Sequence, residues 1–372
     1  QDLVSSSEAD GVVADACLPE SRIELKSSLR GTVSLALWEN SVPVLLELSA
    51  RNISDRRIER MTLKLSSEPP VLKPRSWEIQ DLPVRQYCQI ESLDIALDGS
   101  LLASMSEATR ATVIITAEEK LPDGSSTEIA RQEADIRVLS RSEWGGLDGL
   151  PDLLAAFVLP NDPAVSVILR TASALMEVAG QISSFEGYQA GKKRVWEQAQ
   201  AIWCAISALK LTYVSAPASF VESGQRIRLP SQILGEKLAT CLDTAILFAS
   251  CLEAAGIRPV LIMMKGHAFT GFWLSYAESG ISLLQDLPGI RNRIALDDVC
   301  VFETTLATGV TPPSFGTACD RGRAQLEGNG ANDAFEGIID IHRARLRRIR
   351  PLPIQVQHQV AEAAAEEECA LP

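Results

Sequence analysis

Between about residues 21 and 139 the apolar positions recur every second residue in short runs. Residues 44–50, 61–65, 111–117 and 134–139 carry these runs, and the second alternates cleanly. Turn-forming clusters separate them at 52–55, 68–70, 98–99 and 122–124. A period of two bounded by Gly, Pro, Asn and Asp predicts strands joined by tight turns. Beyond a joint at 144–151, rich in Gly and holding Trp144, the period lengthens to that of helices. Residues 163–179 are apolar at helical spacing. In 192–211, Val195, Ala199, Ile202, Ile206 and Leu209 form one stripe.

These patterns predict an α+β chain in two parts. Short strands at such spacing suggest an immunoglobulin-like β-sandwich over residues 20–140, although the Cys…Trp…Cys core signature is missing. A linker is expected at 141–160 and an α+β domain at 161–354. Tails are expected at 1–19 and at 355–372, the second rich in Ala and Glu.

Composition changes this picture little. The 372 residues are 46% hydrophobic and 22% charged, ordinary for a globular chain and enough for two cores. A net charge of -13 repels a phosphate backbone, so direct nucleic-acid binding is not expected. One basic run, with Arg343, Arg345, Arg347, Arg348 and Arg350 around His342, reads as a solvated edge. No apolar run is long enough to span a bilayer and no signal-peptide pattern opens the chain, so a cytoplasmic location is expected. Eight scattered cysteines include no C-x-x-C pair, which predicts neither a disulfide framework nor a metal site. No cofactor is expected, and no G-x-x-x-x-G-K-[ST] loop is present.

The chemistry concentrates after residue 224. Thr240 and Asp243 have capping-box spacing, the following residues are apolar almost all round, and Gly256 fits a stop. A buried helix therefore starts at Cys241. At that first position the free amides and the helix dipole favour an anion, the form in which a thiol is a nucleophile. Cys251, inside the same helix, reads as a packed core thiol. Residues 258–264 read as a buried strand, and His267 opens a second one after a Gly turn. The chain has three histidines, and His342 and His358 lie in basic or tail segments, so His267 is the candidate base for Cys241. A third strand is expected at 294–305. Its acids, Glu303 near the end and Asp297 and Asp298 near the start, are candidates to orient the imidazole; Glu303 is preferred and Asp298 is the alternative. For an oxyanion, the Cys241 amide and the side chains of Gln225 and Gln232 are all candidate donors.

These segments carry a resemblance. Thr-Cys-Leu-Asp at 240–243, Gly-Ile-Arg-Pro at 256–259, Gly-His-Ala-Phe at 266–269 and Val-Phe-Glu-Thr-Thr at 301–305 together resemble the core of the transglutaminase-like superfamily, which has a papain-like fold. The wording is most similar to a bacterial branch in which a sandwich-like region and this domain precede a helicase or nuclease, in proteins suspected of roles in phage defence. The resemblance implies Cys241 as nucleophile, His267 as general base and Glu303 as third member, on an antiparallel sheet packed against the Cys241 helix. Two positions depart from the family pattern. Ala239 stands where Gly is usual, and Glu303-Thr304 stands where Asp-Pro is usual.

The expected function is a cysteine-dependent amide hydrolase acting on a protein or peptide through a thioester. The alternatives are an interaction module that recruits or gates a helicase or nuclease partner, and a protein-crosslinking transglutaminase.

Overall fold

The computed structural model describes residues 11–13, 21–147, 150–215, 224–275, 282–328 and 330–354. The rest of the two expected tails lies outside the described residues. Within the first, Gly11–Val13 pairs antiparallel with Ile23–Arg30, so the expected tail supplies an edge strand.

The chain is a mixed α+β structure with several sheets. In the N-terminal half, a four-stranded sheet runs in the order Gly11–Val13, Ile23–Arg30, Leu45–Asn52, Tyr87–Gln89. A five-stranded sheet follows the order Thr32–Val33, Ser126–Val138, Thr109–Lys120, Ile58–Glu68, Arg75–Leu82. Its first pair is parallel and its others antiparallel. Alternation sets the buried face: Ala111, Val113, Ile115 and Ala117 point inward, opposite Met61, Leu63 and Leu65 on the neighbouring strand. Each large apolar side chain buried this way contributes roughly 1.5–3 kcal/mol. The turn expected at 98–99 differs, because Asp98 caps the amide of Leu101 and starts a short helix, Gly99–Ser104.

The stretch expected to be a linker is packed. Pro151–Phe157 forms a 3-10 helix, and Leu154, Ala155, Ala156 and Val158 are fully buried. These residues share one continuous core with the N-terminal sheets and with Leu242, Ala245 and Ile246. A segment this apolar loses too much by staying in water to behave as a free joint. The basic run then explains itself. Arg345, in the helix Ile341–Leu346, bonds both oxygens of Glu253 at 2.9 Å and the carbonyls of Ala155 and Val158 at 3.0 and 2.8 Å. Arg347 reaches Asp152 at 2.8 Å. The run expected to be a solvated edge thus includes a clamp on the buried 3-10 helix. Arg345→Ala is expected to cost about 2–3 kcal/mol in denaturant unfolding, because it strands a half-buried carboxylate and two carbonyls.

In the C-terminal half, helices Pro163–Val178, Lys192–Ser207 and Cys241–Ala254 pack beside a five-stranded antiparallel sheet. Its order is Leu283–Leu284, Phe335–Asp340, Pro259–Met264, His267–Trp273, Val299–Phe302. Trp203, Phe248, Phe302 and Phe315 meet edge-to-face, stacked or tilted at 5.2–6.1 Å between ring centres, filling the space between helices and sheet. The strand expected at 294–305 is shorter. Leu287–Ala295 is a helix, capped by Asp286 and burying Leu287, Ile290 and Ile294, which repeat at helical spacing. Only Val299–Phe302 is strand. Helix Phe315–Glu327 lies against that strand so closely that a Cβ on Gly322 would come within 2.8 Å of the Phe302 backbone.

Candidate active site

The helix Cys241–Ala254 begins as its capping box predicts. Thr240 Oγ1 accepts from the Asp243 amide at 3.2 Å, and Asp243 Oδ2 accepts from the Thr240 amide at 2.9 Å. Asp243 is fully buried and takes two more bonds, from the Arg228 amide at 2.8 Å and its guanidinium at 3.2 Å. Twelve residues in a row, Cys241 to Leu252, are buried. Cys241 therefore sits at the first helical position with its chain direction locked.

Two threonines fix this helix against the sheet. Thr270 Oγ1, from the His267 strand, donates to the Ala245 carbonyl at 2.8 Å. Thr244 Oγ1 lies 3.2 Å from Thr304 Oγ1, next to Glu303. The sheet register does the rest. Thr270 pairs with Phe302 in an antiparallel ladder, so the chain beyond Phe302 runs back alongside His267. His267 Nε2 lies 2.7 Å from Glu303 Oε2. That bond leaves Nδ1 free to face the Cys241 thiol, which lies near enough to raise the imidazole's pKa. The ring also stacks on Phe269, two residues along the same strand face, with centres 5.9 Å apart.

Glu303 is held on every side. Its other oxygen accepts from the Thr305 amide at 3.0 Å and the Thr305 hydroxyl at 2.7 Å, so Glu303 caps the 3-10 helix Thr304–Thr308. Gln325 Nε2 adds a contact at 3.3 Å, and the Glu303 amide donates to the Ala318 carbonyl at 2.9 Å. The longer side chain of a glutamate is accommodated because its carboxylate is tied both to the following turn and to helix Phe315–Glu327.

The electrostatics of the pair agree with one another. Burial works to lower the His267 pKa, but the hydrogen bonds to Cys241 and Glu303 and the Glu303 charge outweigh it and raise the group to about 10. Burial likewise works to raise Glu303, and the imidazole and Thr305 outweigh it, leaving the carboxyl below its usual range. An imidazole that stays charged beside a carboxylate and a thiol is the arrangement that stores a proton for a leaving group. Cys251 differs in kind. It is fully enclosed in the apolar interior of the same helix, and burial pushes its thiol far up.

The remaining candidates separate by position. Gln225 Nε2 donates to Thr240 Oγ1 at 3.3 Å, one residue from Cys241, and so belongs to the site. Gln232 does not. Its Oε1 accepts from the Leu229 amide at 3.0 Å, capping its own helix, Pro230–Glu236. Asp298 also lies elsewhere. It precedes the pair Trp273–Val299 at the opposite end of the strand from His267, roughly 20 Å away at strand rise, and faces Lys192 at 3.5 Å. The acid at the near end is the one within reach.

One residue of the site carries no local sequence signal. Thr212–Tyr213 pairs in parallel with Leu238–Ala239, which places Tyr213 opposite Ala239, two residues before Cys241. Its phenol lies near enough to the Cys241 thiol to feel it electrostatically. Partial burial, then the charges of Cys241 and Glu303, raise the phenol above its ordinary range, so it is held protonated as a donor. A single Tyr after a helix is unremarkable in sequence. The parallel pairing across 26 residues brings it in. Among the described residues no cluster of His, Cys, Asp and Glu is arranged to hold a metal ion, and no helix is long and apolar enough to cross a membrane.

Compared with protein-family models, with curated proteins and with solved structures, the chain matches none.

Proposed function

We propose that the chain is a cysteine-dependent amide hydrolase of transglutaminase-like type, with an immunoglobulin-like sandwich in front of the catalytic region. The observation that carries this reading is the meeting of Cys241, His267 and Glu303 at a helix start and two adjacent strand ends. The Cys241 thiolate attacks the amide carbon of a protein or peptide. The developing oxyanion takes hydrogen bonds from the Cys241 amide and from the Tyr213 hydroxyl or the Gln225 side chain. The C–N bond then breaks, and the imidazolium of His267 gives its proton to the departing amine, leaving a thioester on Cys241. Water then adds to the thioester carbon as His267 takes its proton, and the C–S bond breaks to release the acid and return Cys241 as the thiolate beside the imidazolium. Glu303 holds the ring with Nδ1 toward sulphur and stabilises its charge.

The test is intact-mass labelling with iodoacetamide near neutral pH on the wild type, Cys241→Ala and His267→Ala. One fast adduct, lost in Cys241→Ala and slowed about a hundredfold in His267→Ala, is expected. Slow labelling spread over several cysteines and indifferent to His267 would overturn the enzymatic reading and favour a binding module. Tyr213→Phe should separate the two side-chain donors. If the phenol serves the oxyanion, turnover of an amide substrate falls by about 10²-fold, while iodoacetamide labelling, which builds no oxyanion, changes little.

A further inference from the structure

Two buried thiols take no part in the chemistry at Cys241. Cys300, in strand Val299–Phe302, and Cys319, in helix Phe315–Glu327, are 2% and 5% exposed. Their Sγ atoms are 3.5 Å apart. The two residues are 19 positions apart in the chain, so no short cysteine motif marks the pair.

The backbones that carry the two sulphurs are fixed on either side of them. Next to Cys319, the Ala318 carbonyl accepts from the Glu303 amide at 2.9 Å. One turn on, at Gly322, the helix comes so near the strand that an added Cβ would lie 2.8 Å from the Phe302 backbone. Cys319 and Gly322 share one helix face, and Cys300 and Phe302 share one strand face. The thiols are thus pressed together by contacts they do not make themselves. The sulphurs of a disulfide lie about 2.05 Å apart, so closing this pair takes a movement of roughly 1.5 Å, within reach of side-chain rotation.

We infer that Cys300 and Cys319 are a modification site, a dithiol that hydrogen peroxide converts to a disulfide. The contact with Cys319, more than burial, keeps Cys300 protonated, so Cys319 is the sulphur that attacks. It bonds to one peroxide oxygen as the O–O bond breaks, and the other oxygen leaves as water with the thiol proton. The Cys300 sulphur then bonds to the Cys319 sulphur as the S–O bond breaks, and a second water leaves. Two thiols are oxidised and one peroxide is reduced to two waters. Hydrogen peroxide is close to water in size, which suits sulphurs with so little exposed surface.

The consequence falls on Glu303, which lies inside the closed loop. The helix that carries Cys319 supplies the Ala318 carbonyl to the Glu303 amide and Gln325 Nε2 to its carboxylate, at 3.3 Å. The disulfide therefore braces the support of Glu303 without touching Cys241 or His267. That consequence rests on the role proposed for Glu303; the bond itself does not.

The test uses the full chain carrying Cys241→Ala, so that the nucleophile takes no part and the outcome is independent of the catalytic reading. Hydrogen peroxide is added, remaining thiols are capped with N-ethylmaleimide in denaturant, and the unreduced digest is mapped by mass spectrometry. A peptide linked through Cys300 and Cys319 is expected, and the midpoint of thermal unfolding should rise by about 5 °C. Dithiothreitol should remove both. Cys300→Ser and Cys319→Ser are nearly isosteric, and each should give neither the link nor the rise. The reversal by dithiothreitol is read in one and the same protein, so the test survives if a serine variant folds poorly. Recovery of Cys300 and Cys319 as capped thiols, or as separate sulphinic acids, would overturn the site. A linked peptide with an unmoved or lower midpoint would overturn the brace.

Discussion

Glu303→Gln is expected to slow labelling of Cys241 by about two orders of magnitude near neutral pH, with the fold intact. Gln is nearly isosteric and its oxygen still accepts from the Thr305 amide and hydroxyl, so the cap on Thr304–Thr308 survives. The negative charge opposite His267 Nε2 is lost. With it goes much of what raises the imidazole to about 10, and its pKa falls toward the ordinary 6.5. Labelled-histidine NMR reads this directly, because the chain has three histidines. In the wild type the His267 ring stays protonated through neutral pH; in Glu303→Gln it loses its proton at a clearly lower pH. The same pair makes stability depend on pH. His267, raised in the fold, contributes fully below about 6.5, and the contribution is lost as pH climbs through about 10. Glu303, lowered in the fold, contributes above 4.5 and loses its share as pH falls. The stability gap between wild type and Glu303→Gln should therefore be widest between about pH 4.5 and 6.5. A gap that widens toward pH 10 would contradict the ion pair.

The largest effect on stability is expected from Asp243→Ala, about 3–5 kcal/mol by denaturant unfolding. The carboxylate is fully buried and satisfies the Thr240 amide, the Arg228 amide and the Arg228 guanidinium. Alanine leaves all three without their acceptor, and the guanidinium keeps only Glu236, at 3.0 Å. Asp243→Asn retains an acceptor and the shape, and should cost less than half as much. The helix start is also the seat of Cys241, so labelling should slow in Asp243→Ala even where the chain remains folded. Equal losses in the Ala and Asn variants would show that shape, rather than the charge-assisted bonds, holds the helix start.

The sequence by itself determined the elements whose signals are local. The capping box at Thr240 and Asp243 placed Cys241 at the first helical position, and the structure starts the helix there. The apolar run before the Gly turn at 266 placed a strand at Pro259–Met264 and His267 at the head of the next one. Strand alternation in the N-terminal half was legible for the same reason, since the period of two belongs to each strand alone. Asp286 and the spacing of Leu287, Ile290 and Ile294 were equally local, yet the neighbouring run Val299–Phe302 drew the end of that helix, Ile294 and Ala295, into the strand expected at 294–305.

Only the tertiary structure decided which side chains meet. Gln225 and Gln232 look alike as donors, but one bonds Thr240 and the other caps its own helix. Asp298 and Glu303 flank the same short strand, and the antiparallel register alone puts Glu303 beside His267 and Asp298 beside Lys192. Tyr213 reaches Cys241 through a parallel pairing between distant segments. The apolar run at 153–159 turned the expected linker into shared core, because it had sheets on one side and the Cys241 helix on the other to bury against. A periodic pattern states how a segment faces its surroundings. Register and long-range pairing state what those surroundings are, and they come from the summed burial of many segments at once.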